Sequence, residues 1–384
     1  MTRVGILTFH CPINYGAVLQ AYGLQTVLAK LGINASIIDY RPEFLLKPYR
    51  IFKEPLSYTL KKNFLHPYTL FTQLKLITKR FRRHGYFRKF ITNNLILTSA
   101  EKMDDMDVIV VGSDQVWNLC LTQRDISYFL PGKRAKKIAY AVSVGDIESF
   151  KTECSDSIVS LLQDFDSISV RESELENLLN SQYNIHAQTV LDPVLLAGSE
   201  AYMNFVDSSL IPSGNYLLYF SLSYSESQHE FAKRLASSQG IDKVIALCSM
   251  GEYPESHDKK CVASIQDFIS LIYGAKFIVT TSFHATAFSI LFRKEFLIIG
   301  KDKKHASRMI DLMKNLNISN RIIMDSEINA RECGGGVFIC TSIDYKSTTE
   351  VMQQKRDGAI LFLKSSLLEN RDNEDRHSNP TIGT

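Results

Sequence analysis

The chain has 384 residues, a length that predicts two domains of ordinary size rather than a single core. Hydrophobic residues make up 45% and charged residues 22%, as is typical of a globular protein, and the formal net charge is only +3. The apolar stretches are too short to span a bilayer, and residues 1–4 enter a strand without a signal-peptide pattern. We therefore expect a cytoplasmic protein rather than an exported or membrane-inserted one.

Cysteine usage agrees with this location. The seven cysteines are scattered, odd in number and form no C-x-x-C pair, which indicates free thiols in a reducing compartment. The histidines and acids show no metal-ligand spacing, so we expect no metal site. Cys11 lies in a loop after the first predicted strand, where it is either a nucleophile or, more commonly for such a residue, a small buried thiol.

The first predicted elements form a βαβ unit. Residues 4–8 and 36–39 are apolar or β-branched runs typical of buried strands. Between them, apolar residues recur at spacings of three and four from residue 17 to residue 31, and Gly32 suits the left-handed position that ends a helix. The right-handed crossover rule then makes the two strands parallel neighbours in one sheet.

A basic insert at residues 44–91 interrupts this pattern. It contains twelve lysines and arginines and one acid, with leucine, phenylalanine, isoleucine and tyrosine residues interleaved, which predicts amphipathic helices. A solvated helical face is the ordinary explanation of a charge run. The one-sided charge and the aromatic residues favour instead an anionic membrane surface or a lipid-linked pyrophosphate. Nucleic acid would suit the charge too, but no nucleic-acid motif accompanies it, so we expect a membrane partner.

Two α/β domains follow from the rest of the chain. Strands are predicted at residues 107–111, 137–143, 167–170 and 189–191, then at 216–221, 243–247, 277–281 and 296–299. We expect an N-terminal domain at 1–207, a C-terminal domain at 208–343, a helix at 344–368 and a disordered tail at 369–384. The simplest architecture is two Rossmann-like domains facing each other across a cleft.

The turn at Thr281, Ser282 and His284 joins a predicted strand to a predicted helix. In a doubly wound sheet, such a turn lies where ligands bind and exposes backbone N–H groups to an anion. His284 is then either a proton-transfer group beside an anion site or a core histidine with satisfied polar atoms.

Two arginines could supply the positive charge of an anion site. Arg171 closes a predicted strand, so its planar guanidinium either binds a carboxylate or phosphate or pairs with a neighbouring acid such as Glu172, Glu174 or Asp192. Arg308 is predicted to open a helix at residues 308–316, where the alternative is a solvated surface charge.

Two loops carry polar groups that could bind a ligand. Ser113, Asp114 and Gln115 follow a predicted strand, and Trp117, the only tryptophan, either stacks on a sugar or packs beneath this loop. The turn formed by Asn14, Tyr15 and Gly16 is either a helix start or a ligand loop.

Six segments in chain order resemble the successive signatures of one family. They are 14–22 (Asn-Tyr-Gly-Ala-Val-Leu-Gln-Ala-Tyr), 111–118 (Val-Gly-Ser-Asp-Gln-Val-Trp-Asn), 169–172 (Ser-Val-Arg-Glu), 191–195 (Leu-Asp-Pro-Val-Leu), 281–289 (Thr-Ser-Phe-His-Ala-Thr-Ala-Phe-Ser) and 307–308 (Ser-Arg). The ordered set resembles the polysaccharide pyruvyl transferase family and covers the chain up to about residue 321. Some members carry arginine where this chain has Ser282 and glycine where it has Ala285, so we expect Arg308 to replace that arginine.

The resemblance implies a glycosyltransferase-B-like fold and the transfer of pyruvate from phosphoenolpyruvate to two sugar hydroxyls as a cyclic ketal. It also implies a co-substrate rather than a cofactor, and a sugar acceptor, expected to be lipid-linked, for surface polysaccharide synthesis. The residue roles that it implies are catalysis by His284, with Asp114 or His10 as a second group, phosphoenolpyruvate binding by Arg171, Arg308, Ser282 and Thr281, and acceptor binding by Asn14, Tyr15, Gly16, Ser113, Gln115 and Trp117.

Two other function classes stay open. A glycosyltransferase on the same architecture would use a nucleotide sugar and could recruit Asp39 for the ribose, although no donor motif is visible. A non-catalytic binding protein would use the fold without any turnover.

Overall fold

The computed structural model describes residues 2–52, 67–250, 259–260, 262–318, 320–330 and 342–368, with side chains of the helix that begins at Pro67 described from residue 74. The predicted disordered tail at 369–384 lies outside the described residues, as do residues 53–66 of the basic insert. None of the described helices is long and apolar enough to cross a membrane.

The N-terminal domain is built on seven parallel strands. They are β1 (Val4–Leu7), β2 (Ala35–Asp39), β3 (Leu97–Ser99), β4 (Val108–Val111), β5 (Lys136–Val142), β6 (Ser167–Val170) and β7 (Ala187–Thr189). Their order is β3-β2-β1-β4-β5-β6-β7. The order reverses between β1 and β4, so the loops after these two strands flank the crevice in which such sheets bind ligands.

Helices connect these strands. They are α1 (Tyr15–Lys30), α2 (Glu43–Leu46), α3 (Pro67–Asn94), α4 (Ile147–Glu153), α5 (Asp156–Gln163), α6 (Ser173–Gln182) and α7 (Pro193–Ala197). The chain leaves α1 through Gly32, whose φ of +80° is the left-handed conformation predicted for that position.

The C-terminal domain repeats the arrangement with six parallel strands. They are β8 (Tyr216–Ser223), β9 (Lys243–Met250), β10 (Lys259–Lys260), β11 (Phe277–Thr280), β12 (Glu295–Gly300) and β13 (Ile322–Met324), in the order β10-β9-β8-β11-β12-β13. Its helices are α8 (Glu226–Ser238), α9 (Ile265–Gly274), α10 (Phe283–Leu291), α11 (Lys303–Asn315) and α12 (Asp325–Ala330). The order reverses between β8 and β11, which places the turn before α10 at this domain's own binding crevice. The predicted α/β class with two Rossmann-like domains is confirmed.

Aromatic packing joins the two domains. Tyr15, the first residue of α1, stacks on Phe268 of α9 at a centroid distance of 4.5 Å, and its hydroxyl donates to the Ala263 carbonyl at 2.8 Å. Tyr202 meets Phe288 of α10 edge-on at 4.9 Å. One apolar cluster contains these residues and buried residues of both sheets, so the domains share a core beneath the crevice.

The last helix, α13 (Tyr345–Leu368), spans both domains. Near its start, the Tyr345 hydroxyl donates to the Lys294 carbonyl of the C-terminal domain. Further along, Arg356 donates to the Leu195 carbonyl at 2.8 Å, and Phe362 packs on Tyr140 of the N-terminal domain. The helix therefore closes one side of the space between the sheets.

Candidate active site

A buried ion pair lies at the carboxyl ends of β6 and β7. Arg171 follows β6, and its Nη2 atom is 2.8 Å from Oδ2 of Asp192, which follows β7; their side chains are only 3% and 1% exposed. The same nitrogen donates to the Ser113 hydroxyl, from the loop after β4. Nε and Nη1 of Arg171 are buried and have no hydrogen-bond partner among the described residues. Of the two alternatives predicted for Arg171, the structure thus shows the ion pair with a neighbouring acid, Asp192. Two further guanidinium nitrogens, Nε and Nη1, stay available to an anion.

Asp192 is held in its ionised form. Its other carboxylate oxygen, Oδ1, accepts a hydrogen bond from the Val194 backbone at 2.8 Å. Burial by itself would raise the pKa of Asp192, but the Arg171 guanidinium and the His284 imidazole together outweigh burial and lower that pKa to about 2. The carboxylate therefore stays charged at physiological pH and fixes the guanidinium beside it.

His284 enters this cluster from the other domain. It is the second residue of α10, and its Nε2 atom lies 3.7 Å from Oδ2 of Asp192. Nε2 is buried and has no hydrogen-bond partner in the part of the chain that the structure describes. The opposite edge of the ring packs on Gly16 of α1, where a Cβ atom would lie 2.7 Å from Cε1 and still closer to Nδ1 and Cγ. A histidine held between a carboxylate and a helix backbone is well placed to transfer a proton.

Phe283 brings the two predicted arginines together. The Arg171 guanidinium lies 4.8 Å from the centroid of the Phe283 ring, and the Arg308 guanidinium lies 5.9 Å from the same centroid. The prediction that Arg308 opens a helix is wrong, because α11 already begins at Lys303 with Asp302 as its cap. Arg308 is therefore in the second turn, and its value to an anion is its own charge rather than free backbone N–H groups.

A cavity of about 550 Å³ opens beside these groups. Arg171, Asp192, Phe283 and Arg308 line one part of it, and α13 lines another through Lys355 to Ser365. Arg171 and Arg308, from the two domains, thus line one partly open cavity together with Lys355 and the acids Glu176, Asp192 and Asp311. The cavity is large enough for a small anionic ligand.

The turn before α10 is a capped helix start. Ser282 is the N-cap, and its hydroxyl accepts from the Ala285 backbone at 3.4 Å. Thr281 is engaged elsewhere, since its hydroxyl lies 3.2 Å from that of Ser221 and accepts from the Leu222 backbone. Ser282 is thus placed next to the cluster, whereas the side chain of Thr281 is bonded to the last residues of β8.

Asp114 and Gln115 lie in the loop after β4. Asp114 has a φ of +76°, and its carboxylate accepts from the backbone N–H of Gln115 at 2.9 Å. Gln115 accepts from the Asn118 side chain at 2.9 Å and is partly exposed, as is Asn14, which caps α1. Contacts between Asp114 and His284 are absent from the described part of the chain.

His10 and Cys11 belong to a separate, buried group. Nε2 of His10 is 2.8 Å from Oδ1 of Asp39, an oxygen that also accepts from Arg41 at 2.6 Å. Burial lowers the pKa of His10 and raises the pKa of the Cys11 thiol to about 11, so that thiol stays protonated at neutral pH. Cys11 is therefore the buried thiol of the two predicted alternatives. The catalytic role of His10 stays a prediction, and its ring nitrogens are bonded to the Thr8 carbonyl and the Asp39 carboxylate.

Two predicted acceptor residues need correction. Trp117 is fully buried, stacks on Phe129 at 5.6 Å and donates to the Tyr128 carbonyl at 3.1 Å, so no face is open to a sugar. Tyr15 is 2% exposed because it packs against Phe268 across the domain boundary. Both aromatic rings pack into the core instead of facing a ligand.

A family model tests the resemblance of the sequence segments. The family model described as polysaccharide pyruvyl transferase matches residues 14–302. The chain belongs to the polysaccharide pyruvyl transferase family. The predicted family membership is thereby confirmed. A search of curated proteins found no match.

Several solved structures align with this family member over nearly its whole length. UDP-N-acetylglucosamine 2-epimerase from Rickettsia bellii is 9% identical with a TM-score of 0.48, and the alignment covers 96% of this chain and 99% of that one. The UDP-GlcNAc 2-epimerase from Neisseria meningitidis, solved bound to UDP-GlcNAc, is 12% identical with a TM-score of 0.48, over 96% and 100% of the two chains. The calicheamicin glycosyltransferase CalG4 is 12% identical with a TM-score of 0.42, over 95% and 97%.

Three residues at this site of the pyruvyl transferase family member have no predicted site role. Asp192 and Glu172 are predicted as possible ion-pair partners of Arg171 and, like Phe283, lie in the segments that resemble the family. The signal for Asp192 was its place after a strand and before Pro193, a common helix start. No sequence signal showed that both arginines would meet on Phe283.

Proposed function

We propose that this protein transfers pyruvate from phosphoenolpyruvate to two hydroxyls of a sugar, forming a cyclic ketal. One observation carries the proposal: Arg171 and Arg308, from opposite domains, converge on Phe283 beside His284 and a cavity of about 550 Å³. Phosphoenolpyruvate carries a carboxylate and a phosphate, so it needs two cationic partners at a fixed separation. Arg308 makes no ion pair within the described residues, which leaves its charge for the ligand.

His284 suits the role of general base in this proposal. A sugar hydroxyl must lose its proton as its oxygen attacks C2 of the pyruvyl group, and a histidine can accept that proton near neutral pH. The Asp192 carboxylate, 3.7 Å from Nε2, would stabilise the imidazolium that results. Asp114 and His10 stay weaker candidates, since neither side chain forms a hydrogen bond or ion pair with His284, Arg171 or Arg308 among the described residues.

The acceptor would approach from the loops after β1 and β4. Asn14 and Gln115 are partly exposed there, Ser113 lies under Arg171, and Gly16 lies under His284. These four remain the proposed acceptor-side residues. The competing nucleotide-sugar function is less favoured, because the Asp39 carboxylate that would hold a ribose is already bonded to His10 and Arg41.

The turnover assay is direct. Labelled phosphoenolpyruvate and a lipid-linked sugar should yield one phosphate for each pyruvyl group incorporated, with an acid-labile ketal on the sugar. A matched reaction with nucleotide sugars should yield no product. Consumption of a nucleotide sugar without phosphoenolpyruvate would establish the glycosyltransferase instead, and no turnover with either donor would indicate a binding protein.

The lipid-linked acceptor is proposed from the basic helix α3. Its buried face packs Phe87 and Phe90 onto the domain, while Leu74 and Phe81 are 46% and 51% exposed at a spacing of seven residues. Arg82, Arg88 and Lys89 are exposed beside this apolar stripe. The helix also contacts the acceptor loop, because Arg83 donates to the Ile13 carbonyl at 3.3 Å. A membrane bound by α3 would therefore present its lipid-linked sugars next to Asn14.

Reversing the exposed charges of α3 should release the protein from anionic vesicles. Changing Arg82, Arg88 and Lys89 to glutamate should weaken binding to phosphatidylserine-containing vesicles by about 100-fold or more, since each basic residue contributes roughly 1 kcal/mol near such a surface. Activity on a short soluble acceptor should be unchanged. The control reverses Lys233, Arg234 and Lys276 of the C-terminal domain, an equal change of net charge. Equal vesicle binding by both triple variants would contradict a membrane role for α3.

A further inference from the structure

Glu172 lies where three strand-end loops meet. It follows Arg171 at the end of β6, and its Oε1 atom accepts from the Ser143 hydroxyl, at the end of β5, at 2.7 Å. The Ser143 backbone N–H in turn donates to the Asp114 carbonyl, in the loop after β4, at 3.0 Å. Across the cleft, Arg308 and Asp311 of α11 are close enough to act on its charge. Glu172 is therefore buried beside the strand-end loops, within electrostatic range of both arginines.

One carboxyl oxygen of Glu172 is uncommitted. The residue is 9% exposed, and Oε2 is buried with no hydrogen-bond partner among the described residues. A buried carboxylate oxygen without a partner is costly, whereas a protonated carboxyl has an O–H that it can offer to a ligand. Burial raises the pKa of Glu172 above its ordinary value, although Arg171, the Ser143 hydroxyl and Arg308 oppose the rise. These two buried acids thus differ: Asp192 is held ionised, and Glu172 is pushed toward its protonated form.

We propose that Glu172 is the acid that protonates the methylene carbon of phosphoenolpyruvate. The inference rests on the proposed function and assigns the proton donor, leaving His284 as the base. Held between Arg171 and Arg308, the enol would present its C2–C3 double bond to the groups at the carboxyl ends of β4, β5 and β6. Glu172 supplies the only carboxyl in the described part of this region that combines a buried, unpartnered oxygen with a raised pKa.

The step balances without any further reagent. The Glu172 O–H proton moves to C3, the π electrons form the new C–H bond, and C2 becomes an oxocarbenium-like centre. The first sugar hydroxyl attacks C2 and gives its proton to His284. The C2–O bond to phosphate then breaks with its electron pair, and the second hydroxyl closes the ketal as it loses its proton. Of the two hydroxyl protons, one restores Glu172 and the other leaves with phosphate.

The test replaces Glu172 with glutamine, which keeps an oxygen for the Ser143 hydroxyl but has no acidic proton. We expect kcat to fall by about 100- to 10,000-fold, the usual contribution of a positioned acid, with the dissociation constant for phosphoenolpyruvate and the melting temperature little changed. In heavy water, the wild-type protein should place deuterium in the methyl group of the ketal and should exchange the C3 protons of phosphoenolpyruvate with solvent. The Glu172→Gln variant should lose this exchange at C3. Glu174→Gln, the same chemical change at an exposed position of α6, is the matched control.

The pH profile separates an acid from a structural residue. An acid must carry its proton, so wild-type kcat should decline as pH rises through the pKa of Glu172. This decline should persist in Glu172→Asp and disappear from the residual activity of Glu172→Gln. A Glu172→Gln variant with wild-type kcat and the wild-type decline of kcat at high pH would overturn the inference. Equal loss of phosphoenolpyruvate binding in Glu172→Asp and Glu172→Gln would overturn it too. If wild-type protein formed no ketal at all, the proposed function would fail instead.

Discussion

Replacing Arg171 with methionine should lower kcat/KM for phosphoenolpyruvate by about 1,000-fold or more and destabilise the fold by about 3–5 kcal/mol. The first effect follows from the loss of the two buried guanidinium nitrogens that have no partner among the described residues. The second follows because Asp192, 1% exposed, would lose the charge that compensates its own. Steady-state kinetics and thermal unfolding of the same preparation measure the two effects.

A second variant separates these effects. Arg171→Met combined with Asp192→Asn removes both charges, so stability should return toward the wild-type value, whereas activity should not.

Arg308→Met is the matched control for charge, because this arginine is only partly buried and has no ion pair among the described residues. It should raise KM for phosphoenolpyruvate by about 10- to 100-fold with little effect on stability. An unchanged KM in Arg308→Met would show that Arg308 does not replace the arginine missing at Ser282.

The strands that line the crevice were predictable because buried parallel strands are nearly continuous apolar runs. Residues 167–170 and 216–221 illustrate this, since each lies within a strand of the structure. The edge strands β3, β10 and β13 were missed because each has only two or three residues, too few to show a strand pattern. The predicted boundary at residue 207 falls between β7 and β8 and stays a prediction.

The site was harder to predict, because a loop position does not tell which way a side chain points. Trp117 follows the loop Gly-Ser-Asp-Gln and could have faced a sugar, yet it stacks on Phe129. Three adjacent residues differ in what they contact. Asn14 caps α1, Tyr15 packs across the two domains, and Gly16, which lacks a Cβ atom, leaves room for the His284 ring. Only packing between residues far apart in sequence distinguishes these roles, and sequence periodicity carries no information about such packing.

The close packing of Gly16 on His284 leads to a second prediction with a large expected effect on turnover. Changing Gly16 to alanine should lower kcat by about 100-fold or more, because a Cβ atom would overlap the imidazole and displace it from Asp192. The change removes no functional group, and Gly16, the second residue of α1, has no positive φ that alanine would resist. Steady-state kinetics on a soluble acceptor, together with thermal unfolding, measure the outcome.

A matched control is available in the same chain. Gly85 of α3 has no atom within 4 Å of an added Cβ, so Gly85→Ala should leave kcat unchanged and stabilise the protein slightly. Gly16→Ala should show the opposite pattern, since overpacking costs about 1–3 kcal/mol wherever a neighbour must move. A Gly16→Ala protein with wild-type kcat would mean that the position of His284 beside Asp192 is not needed for turnover. That result would shift the role of base to Asp114 or His10.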